Sequence, residues 1–194
     1  MKERSMDVAR PISIVTALAA CLTLVLSFAG GAAYGATARE IDVGVDVALE
    51  RFHNDVRGGT EFLESAKGVL VFPRVIKAGF VFGGEYGEGA LRIGGKTVDY
   101  YNTVAGSFGF QLGAQAKTII LVFMEEGALK QFRESSGWEA GVDGSVALVT
   151  VGAGGSIDTT NIRDPIVGFV FGQKGLMYNL TLEGSKFTRI EPEQ

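Results

Sequence analysis

The chain has 194 residues and a formal net charge of −4, and 28 of its residues are glycine, about twice the ordinary share of roughly 7%. The glycines mostly stand singly between Phe, Val, Ile and Leu, which excludes collagen-like and intrinsically disordered classes. The length favours one globular domain with its own core, and an acidic balance without a basic run argues against nucleic-acid binding.

The first 38 residues have the composition of an export signal. Three basic residues precede a continuous apolar stretch over 12–28, and a segment rich in small residues follows it. Cleavage fits after Gly35 or after Ala38, each of which has an alanine two residues before it. Removal of residues 1–38 leaves 15 basic and 20 acidic residues, so the domain over 39–194 would carry a formal charge of −5.

Two other interpretations of this segment remain open. Residues 18–21, Leu-Ala-Ala-Cys, resemble the lipobox of bacterial lipoproteins, in which Cys21 would be acylated and become the new N-terminus. Alternatively, the run of about 20 apolar or small residues is long enough to remain as an uncleaved membrane anchor. In each case we expect an exported domain in the periplasm or cell envelope, anchored to a membrane if Cys21 is lipidated.

Two helices are the first elements expected in the mature chain. Over residues 39–56, apolar side chains recur at three- and four-residue steps while acidic ones lie mainly off that stripe, which predicts an amphipathic helix. The stripe contains Ile41, Val45, Ala48, Leu49, Phe52 and Val56. Gly58 and Gly59 are expected to end this helix, and Thr60 to cap a second, short helix that runs to Ala66.

From residue 68 onward, short β-like runs alternate with Gly and Pro. The predicted strands are 69–72, 79–84, 90–93, 106–113, 118–124, 142–151, 166–172, 176–182 and 187–190. A cysteine-free mature domain of this kind, with Cys21 removed, would have neither a disulfide nor a thiolate, so its core must stabilise it unaided.

A third helix is expected to interrupt the strands. Two glutamates at 125–126 favour a helix start, Leu129 and Phe132 give an apolar side, and Lys130 or Arg133 gives a basic side. The whole pattern predicts an α+β fold: a β-rich single domain in which a curled antiparallel sheet or half-barrel has the N-terminal amphipathic helices packed on it.

The chemical groups of the sequence do not support catalysis. His53 is the only histidine, and no Ser or Asp near it has the setting of a nucleophile. The carboxylate pairs at Glu85 and Glu88 and at 125–126 are typical of a solvated turn and a helix start. The Gly-rich segment 83–89 has the wrong glycine order for a dinucleotide site. We therefore expect no enzyme, no cofactor and no metal site.

Four ordered blocks carry a resemblance to a known family. They read AKGVLVFP at 66–73 continuing as KAGFVFGG at 77–84 and GEG at 87–89, GSFGFQLGAQ at 106–115, the loop with Trp138, and GLMYNLTLEG at 175–184. Together they cover residues 39 to about 190. In these blocks the chain resembles the SYLF domain family of lipid-binding proteins.

The resemblance implies a compact lipid-binding module, whose eukaryotic members recognise phosphoinositides and in some cases bind actin filaments. Lys67 lies at the matching motif position, and we add Arg74 and Lys77 on charge and proximity. These three are the expected contacts to anionic phospholipid head groups at a membrane surface. An exported chain would not meet actin, so actin binding is not expected here.

Two alternative functions remain open at this point, a structural cell-envelope protein and a carrier of a small apolar ligand. The stripe of the first helix also has two possible roles, because it could be buried on the sheet or rest in the membrane interface. An acidic polar face is poor for an anionic membrane, which favours burial on the sheet.

Overall fold

The structure, a computed structural model, describes residues 35–79, 82–108, 113–150, 164–174 and 182–194. Residues 1–34 of the predicted export signal, with Cys21, and most of the predicted strand 176–182 lie outside these residues. Within the described part of the chain, no helix combines the length and the apolar character needed to cross a bilayer.

Helix α1 (Ala38–Asp55) confirms the prediction from the apolar stripe. Thr37 and Glu40 begin it with a capping box: the Thr37 hydroxyl accepts from the Glu40 N–H, and the Glu40 carboxylate accepts from the Thr37 N–H at 2.8 Å. The capping contacts lower the pKa of Glu40. The buried residues of α1 are Ile41, Val45, Ala48 and Phe52.

Helix α2 (Gly59–Glu64) differs from the prediction at its start. The N-cap is Gly58, whose φ of +79° lies in the left-handed region that glycine adopts without strain. The prediction that Thr60 caps the helix is wrong, because Thr60 already lies inside its first turn. Its hydroxyl instead hydrogen-bonds to Nδ1 of His53 on α1.

The remaining elements follow in chain order. They are β1 (Gly68–Gly79), β2 (Phe82–Ile93), β3 (Lys96–Phe108), β4 (Gly113–Phe123), α3 (Glu126–Glu134), β5 (Trp138–Glu139), β6 (Ala147–Thr150), β7 (Ile166–Lys174) and β8 (Lys186–Ile190). The described strands form one sheet in the order β5-β8-β3-β2-β1-β4-β7-β6. Neighbours pair antiparallel except β6 and β7, which pair in parallel. The α+β class is therefore confirmed, with a mixed rather than wholly antiparallel sheet.

Several strand predictions are wrong in detail. The predicted strand 79–84 straddles two strands, because β1 ends at Gly79 and β2 begins at Phe82. Strand β3 was predicted only over its last residues, 106–108; it follows a tight turn at Gly94 and Gly95, whose φ angles are +56° and +77°. Its polar and aromatic residues lack the short apolar run that marks the other strands.

The sheet curls around one of its faces. Strands β1 and β8 are separated by β2 and β3, yet the rings of Phe72 and Phe187 lie 5.5 Å apart on this side. This side, the concave face, carries a core that also includes Tyr101, Phe132 and Trp138. The half-barrel predicted from the sequence is thus confirmed.

The opposite, convex face is covered by α1 and α2. The Phe52 ring of α1 lies 5.1 Å from Phe169 and 5.5 Å from Phe171, and Phe62 of α2 lies 5.4 Å from Phe169. The apolar stripe of α1 is therefore buried on the sheet. The acidic polar face of the helix had favoured this role over a position in the membrane interface.

A β-bulge interrupts β1 around Pro73. Before it, Leu70 and Phe72 face the concave core; after it, Val75 and Lys77 do so, because the extra residue shifts the alternation by one. The bulge needs glycine on the neighbouring strand, since a Cβ at Gly89 would collide with the Val71 carbonyl. The bulge thus directs Lys77 to the inside of the half-barrel.

Candidate functional site

A basic groove lies between α3 and the ends of three strands. It has a volume of about 590 Å³ and lies where β1 begins, β2 ends and β8 passes. Its lining contains four cations, two carboxylates and two apolar side chains: Lys67, Lys130, Arg133, Arg189, Glu126, Glu134, Ile93 and Leu129. We call this set the basic groove.

Helix α3 forms one wall because its apolar side is anchored in the concave core. Leu129 and Phe132 are buried, and the Phe132 ring lies 4.9 Å from those of Tyr101 and Phe123. At Gly68, an added Cβ would come within 3.0 Å of the Leu129 side chain, so glycine here gives α3 room to dock. The basic side predicted for this helix then faces the groove.

Asp99 on β3 holds the two arginines of the groove. Its Oδ2 accepts from Arg133 Nε at 2.9 Å and lies 3.4 Å from Arg189 Nη2. Arg189 also donates to the Arg133 carbonyl at 3.2 Å. Because both guanidinium groups are partly exposed and each carries five N–H donors, donors remain for an anion from solvent.

Tyr101 lies beneath this pair of arginines. The Arg189 guanidinium lies 6.0 Å from the centre of its ring, and its buried hydroxyl has no hydrogen-bond partner among the described residues. Burial raises the pKa of Tyr101, and the neighbouring arginines act in the opposite direction. A buried polar atom without a partner is unusual in a folded protein.

The two lysines of the groove are held more loosely. Lys130 is exposed and forms an i,i+4 pair with Glu134 at 3.8 Å. Lys67 is exposed as well, but its backbone is fixed, since its N–H donates to the Phe123 carbonyl at 2.8 Å. Lys67 is thus the sequence-predicted contact that lies in the groove.

The other two sequence-predicted contacts lie elsewhere. Arg74 is exposed on the convex side of the bulge, opposite Glu88 of β2. Lys77 is buried on the concave face and pairs with Glu85 at 3.3 Å. Since β1 extends by about 3.3 Å per residue, Lys67 and Lys77 lie roughly 30 Å apart along the strand. The structure does not bring the three cations into one cluster.

A second cavity of about 530 Å³ provides a contrast to the groove. It lies between α1, α2 and the turn at Gly94 and Gly95, and its charged residues include Asp46, Glu50 and Glu64 against Arg92. Three carboxylates around one guanidinium repel an anion. Among the described residues, no cluster of His, Cys, Asp and Glu is arranged to hold a metal ion.

Sequence reasoning missed Asp99 and Arg189 as parts of the site. They lie on β3 and β8, which are distant in the chain and pair in the sheet from Tyr100 with Ile190 to Val104 with Lys186. No local pattern indicates such a pairing. Arg133 was recognised only as part of the basic side of α3.

A family comparison covers much of this site. Residues 104–193 match the model of a family described as Ysc84, Las17-binding protein actin regulator. The matched stretch includes Arg133 and Arg189, whereas Lys67 and Asp99 precede it. No curated protein matches the chain.

Proposed function

From the premise that residues 104–193 of this chain belong to the SYLF family, the family of the matched Ysc84 model, we propose that the protein binds anionic phospholipid head groups through the basic groove. The recognition made from the sequence is confirmed over that stretch. SYLF domains form a lipid-binding family, and the matched description assigns Las17 binding and actin regulation to its namesake. For this chain we propose lipid binding without catalysis.

The observation that carries the proposal is the concentration of cations in the groove. Four of its eight lining residues are Lys or Arg, in a chain whose net charge is −4. A local positive patch on an acidic protein attracts anions selectively and in a salt-dependent way. It would favour an anionic membrane over a neutral one.

The groove also has the chemistry that a lipid head group requires. Guanidinium groups bind phosphate oxygens through paired N–H donors, and the fixed Asp99 contacts orient both arginines. Lys67 and Lys130 add mobile charges at the rim. Ile93 and Leu129 offer apolar surface to the glycerol or upper acyl region.

Arg74 remains in the proposal as an accessory contact, because it is exposed and carries no ion pair among the described residues within 4 Å. Its position on the convex side of β1 separates it from the groove. A variant at Arg74 therefore reports on a second surface, independently of the groove.

Vesicle co-sedimentation tests the proposal. We suggest residues 35–194, which form one compact unit and retain the α1 cap. We expect sedimentation with phosphatidylglycerol or phosphatidic-acid vesicles, little with phosphatidylcholine, and a marked decrease between low and physiological salt. Lys67→Glu combined with Lys130→Glu should weaken binding at least about tenfold, since two charges near a membrane contribute about 1 kcal/mol each.

A matched control reverses the charge of two lysines as well, but at positions outside the groove. Lys96→Glu combined with Lys186→Glu reverses two exposed lysines outside the groove. Binding by this control should stay close to wild type. Equal loss in both double variants would assign the effect to net charge, and unchanged binding in the groove variant would overturn the proposed site and favour an envelope protein or an apolar-ligand carrier.

We also propose that the protein acts outside the cytoplasmic membrane, on the composition of residues 1–38. Mass spectrometry of the N-terminus from a bacterial host distinguishes the alternatives. A start at residue 36 or 39 indicates signal cleavage, an acylated Cys21 indicates a lipoprotein, and an intact leader indicates an anchor. An unprocessed chain found in the cytoplasm would contradict export.

A further inference from the structure

A second group of charges lies inside the half-barrel, away from the groove. The Glu85 carboxylate accepts from two ammonium groups, Lys77 Nζ at 3.3 Å from Oε1 and Lys117 Nζ at 2.6 Å from Oε2. The side chains are only 5%, 9% and 2% exposed for Lys77, Glu85 and Lys117. We call these three residues the buried triad.

Three neighbouring strands assemble the buried triad. Lys77 of β1 stands directly opposite Glu85 of β2, and Lys117 of β4 stands opposite Val75 of β1. Val75 belongs to the concave core, so the three charged groups extend that core towards the strand ends. Lys77 is two residues from the end of β1 and Glu85 is three residues from the start of β2. These separations correspond to distances of about 7–10 Å along the strands.

The charges of the buried triad do not balance. Two ammonium groups share one carboxylate, and among the described residues no other carboxylate lies within 4 Å of either lysine. Each ammonium has three N–H donors, while Glu85 takes one contact from each. A buried charge is stable only if it is paired and hydrogen-bonded, so an excess positive charge is costly here.

We propose that Lys77 and Lys117 bind one anionic group, a phosphate or phosphate ester, inside the strand-end region of the concave face. Such a group supplies a second negative charge for the two ammonium groups. The anionic group has two possible sources, a lipid head group and free inorganic phosphate, which share this chemistry. The inference rests on the proposed lipid binding only for the first source.

The position of the triad fits this role better than that of a structural pair. A pair that serves the fold alone needs one lysine, as a single ammonium neutralises Glu85. The second lysine adds a desolvation cost with no carboxylate of its own among the described residues, and a ligand that binds only the folded state offsets this cost.

Thermal unfolding of the full chain tests the inference, with sodium phosphate replacing sodium chloride at constant ionic strength. We expect the Tm of the wild type to rise by about 5 °C at saturating phosphate, since binding to the native state alone stabilises it. Lys117→Met should remove the part of this rise that the buried triad contributes, because it leaves one matched Lys–Glu pair. Glu85→Gln should enlarge the rise, because it leaves two buried cations.

Two controls separate the buried triad from other sites. Lys96→Met removes an exposed lysine and should keep the wild-type response. Lys67→Glu with Lys130→Glu weakens the binding of phosphate in the groove, so the rise in Tm that remains in this variant, and that is lost when Lys117→Met is added to it, belongs to the buried triad. The failure of the proposed groove and the failure of this inference are thus distinguishable. If Lys117→Met does not fold, Lys77→Met and Glu85→Gln give the same comparison.

Soluble short-chain lipids identify the source of the anionic group. A rise in Tm with dihexanoyl phosphatidic acid at concentrations below those of inorganic phosphate assigns the site to a lipid head group, and equal potency assigns it to free phosphate. The inference is overturned if neither dihexanoyl phosphatidic acid nor inorganic phosphate raises the Tm of the wild type or of Glu85→Gln. It is also overturned if zwitterionic dihexanoyl phosphatidylcholine raises the Tm as strongly as dihexanoyl phosphatidic acid does.

Discussion

The molecule contains the same ionic arrangement twice, in two different settings. In the basic groove Asp99 lies between Arg133 and Arg189, and in the buried triad Glu85 lies between two lysines. The carboxylates are almost equally buried, at 12% and 9% exposed. The cations differ: the arginines are 39% and 49% exposed, whereas the lysines are nearly inaccessible.

This difference shows that the exposure of the cations decides what the arrangement can do. The groove arginines keep much of their hydration, so their charge is screened by salt and available to a ligand at low energetic cost. The buried lysines have lost their hydration, so their stability depends on the groups around them. The basic groove therefore favours reversible binding at the surface. In the buried triad, the charges instead contribute to the stability of the fold.

The largest expected effect is at Glu85. Glu85→Gln leaves two buried ammonium groups without a carboxylate partner among the described residues, and removal of one member of a buried ionic cluster costs about 3–5 kcal/mol. Urea unfolding in low-phosphate buffer should show this loss of stability, partly recovered when phosphate is added. A loss below about 1 kcal/mol would mean that the triad does not hold two charged lysines, and the contrast with the groove would disappear.

Asp99→Asn is the matching change at the groove, and its effect should be smaller. The arginines can turn to solvent when the carboxylate charge is removed, so we expect a loss of about 1.5 kcal/mol, at the low end for hydrogen bonds to charged groups. Urea unfolding of both variants under one condition measures the difference directly. Equal losses for Asp99→Asn and Glu85→Gln would contradict the role given to cation exposure.

Tyr101→Phe sharpens the description of the groove floor. Because the buried hydroxyl has no hydrogen-bond partner in the described part of the chain, its removal should leave the neutral-pH stability unchanged or raise it by up to about 1 kcal/mol. A clear loss would show that the hydroxyl is bonded to Arg189 in solution. Tryptophan fluorescence during urea unfolding is a suitable measurement, since Trp138 is buried in the same core.

The same variant should respond differently to alkaline pH. The pKa of Tyr101 is raised in the folded state, so above the ordinary tyrosine pKa of about 10 the unfolded chain releases a proton that the native state keeps, and stability falls as pH rises. Tyr101→Phe should fall less steeply than wild type. A residual slope is expected, because burial raises the pKa of Tyr100 and raises that of Tyr86 to about 12.

The sequence was sufficient for features that depend on local periodicity. Helix α1, helix α3 and the β-rich half-barrel follow from the spacing of apolar residues and glycines. The bulge at Pro73 was not predictable from this pattern, and because it shifts the alternation by one residue, it directs Lys77 inward while Arg74 remains outside. The expected cluster of Lys67, Arg74 and Lys77 assumed an unbroken strand on one surface.

Long-range pairing limits prediction of the site more severely. Asp99 meets Arg133 and Arg189 only because β8 pairs with the largely unpredicted strand β3 and α3 docks on the core. Similarly, Lys117 meets Glu85 through β4, which is not adjacent to β2 in the sheet. The interpretation of Glu85 as part of a solvated turn is therefore wrong, because Glu85 lies within β2 and the sheet topology buries it beside Lys77 and Lys117.

The smallest expected effect is at the most exposed ion pair of α3, between Lys130 and Glu134. Lys130 and Glu134 are 73% and 68% exposed, so Glu134→Gln should change stability by no more than about 0.2–0.5 kcal/mol. It should nevertheless strengthen sedimentation with phosphatidylglycerol vesicles at low salt, because it removes a carboxylate from the groove lining. Weaker binding in Glu134→Gln would contradict an anionic ligand in the groove, since a protein surface that has lost a negative charge must attract anions more strongly.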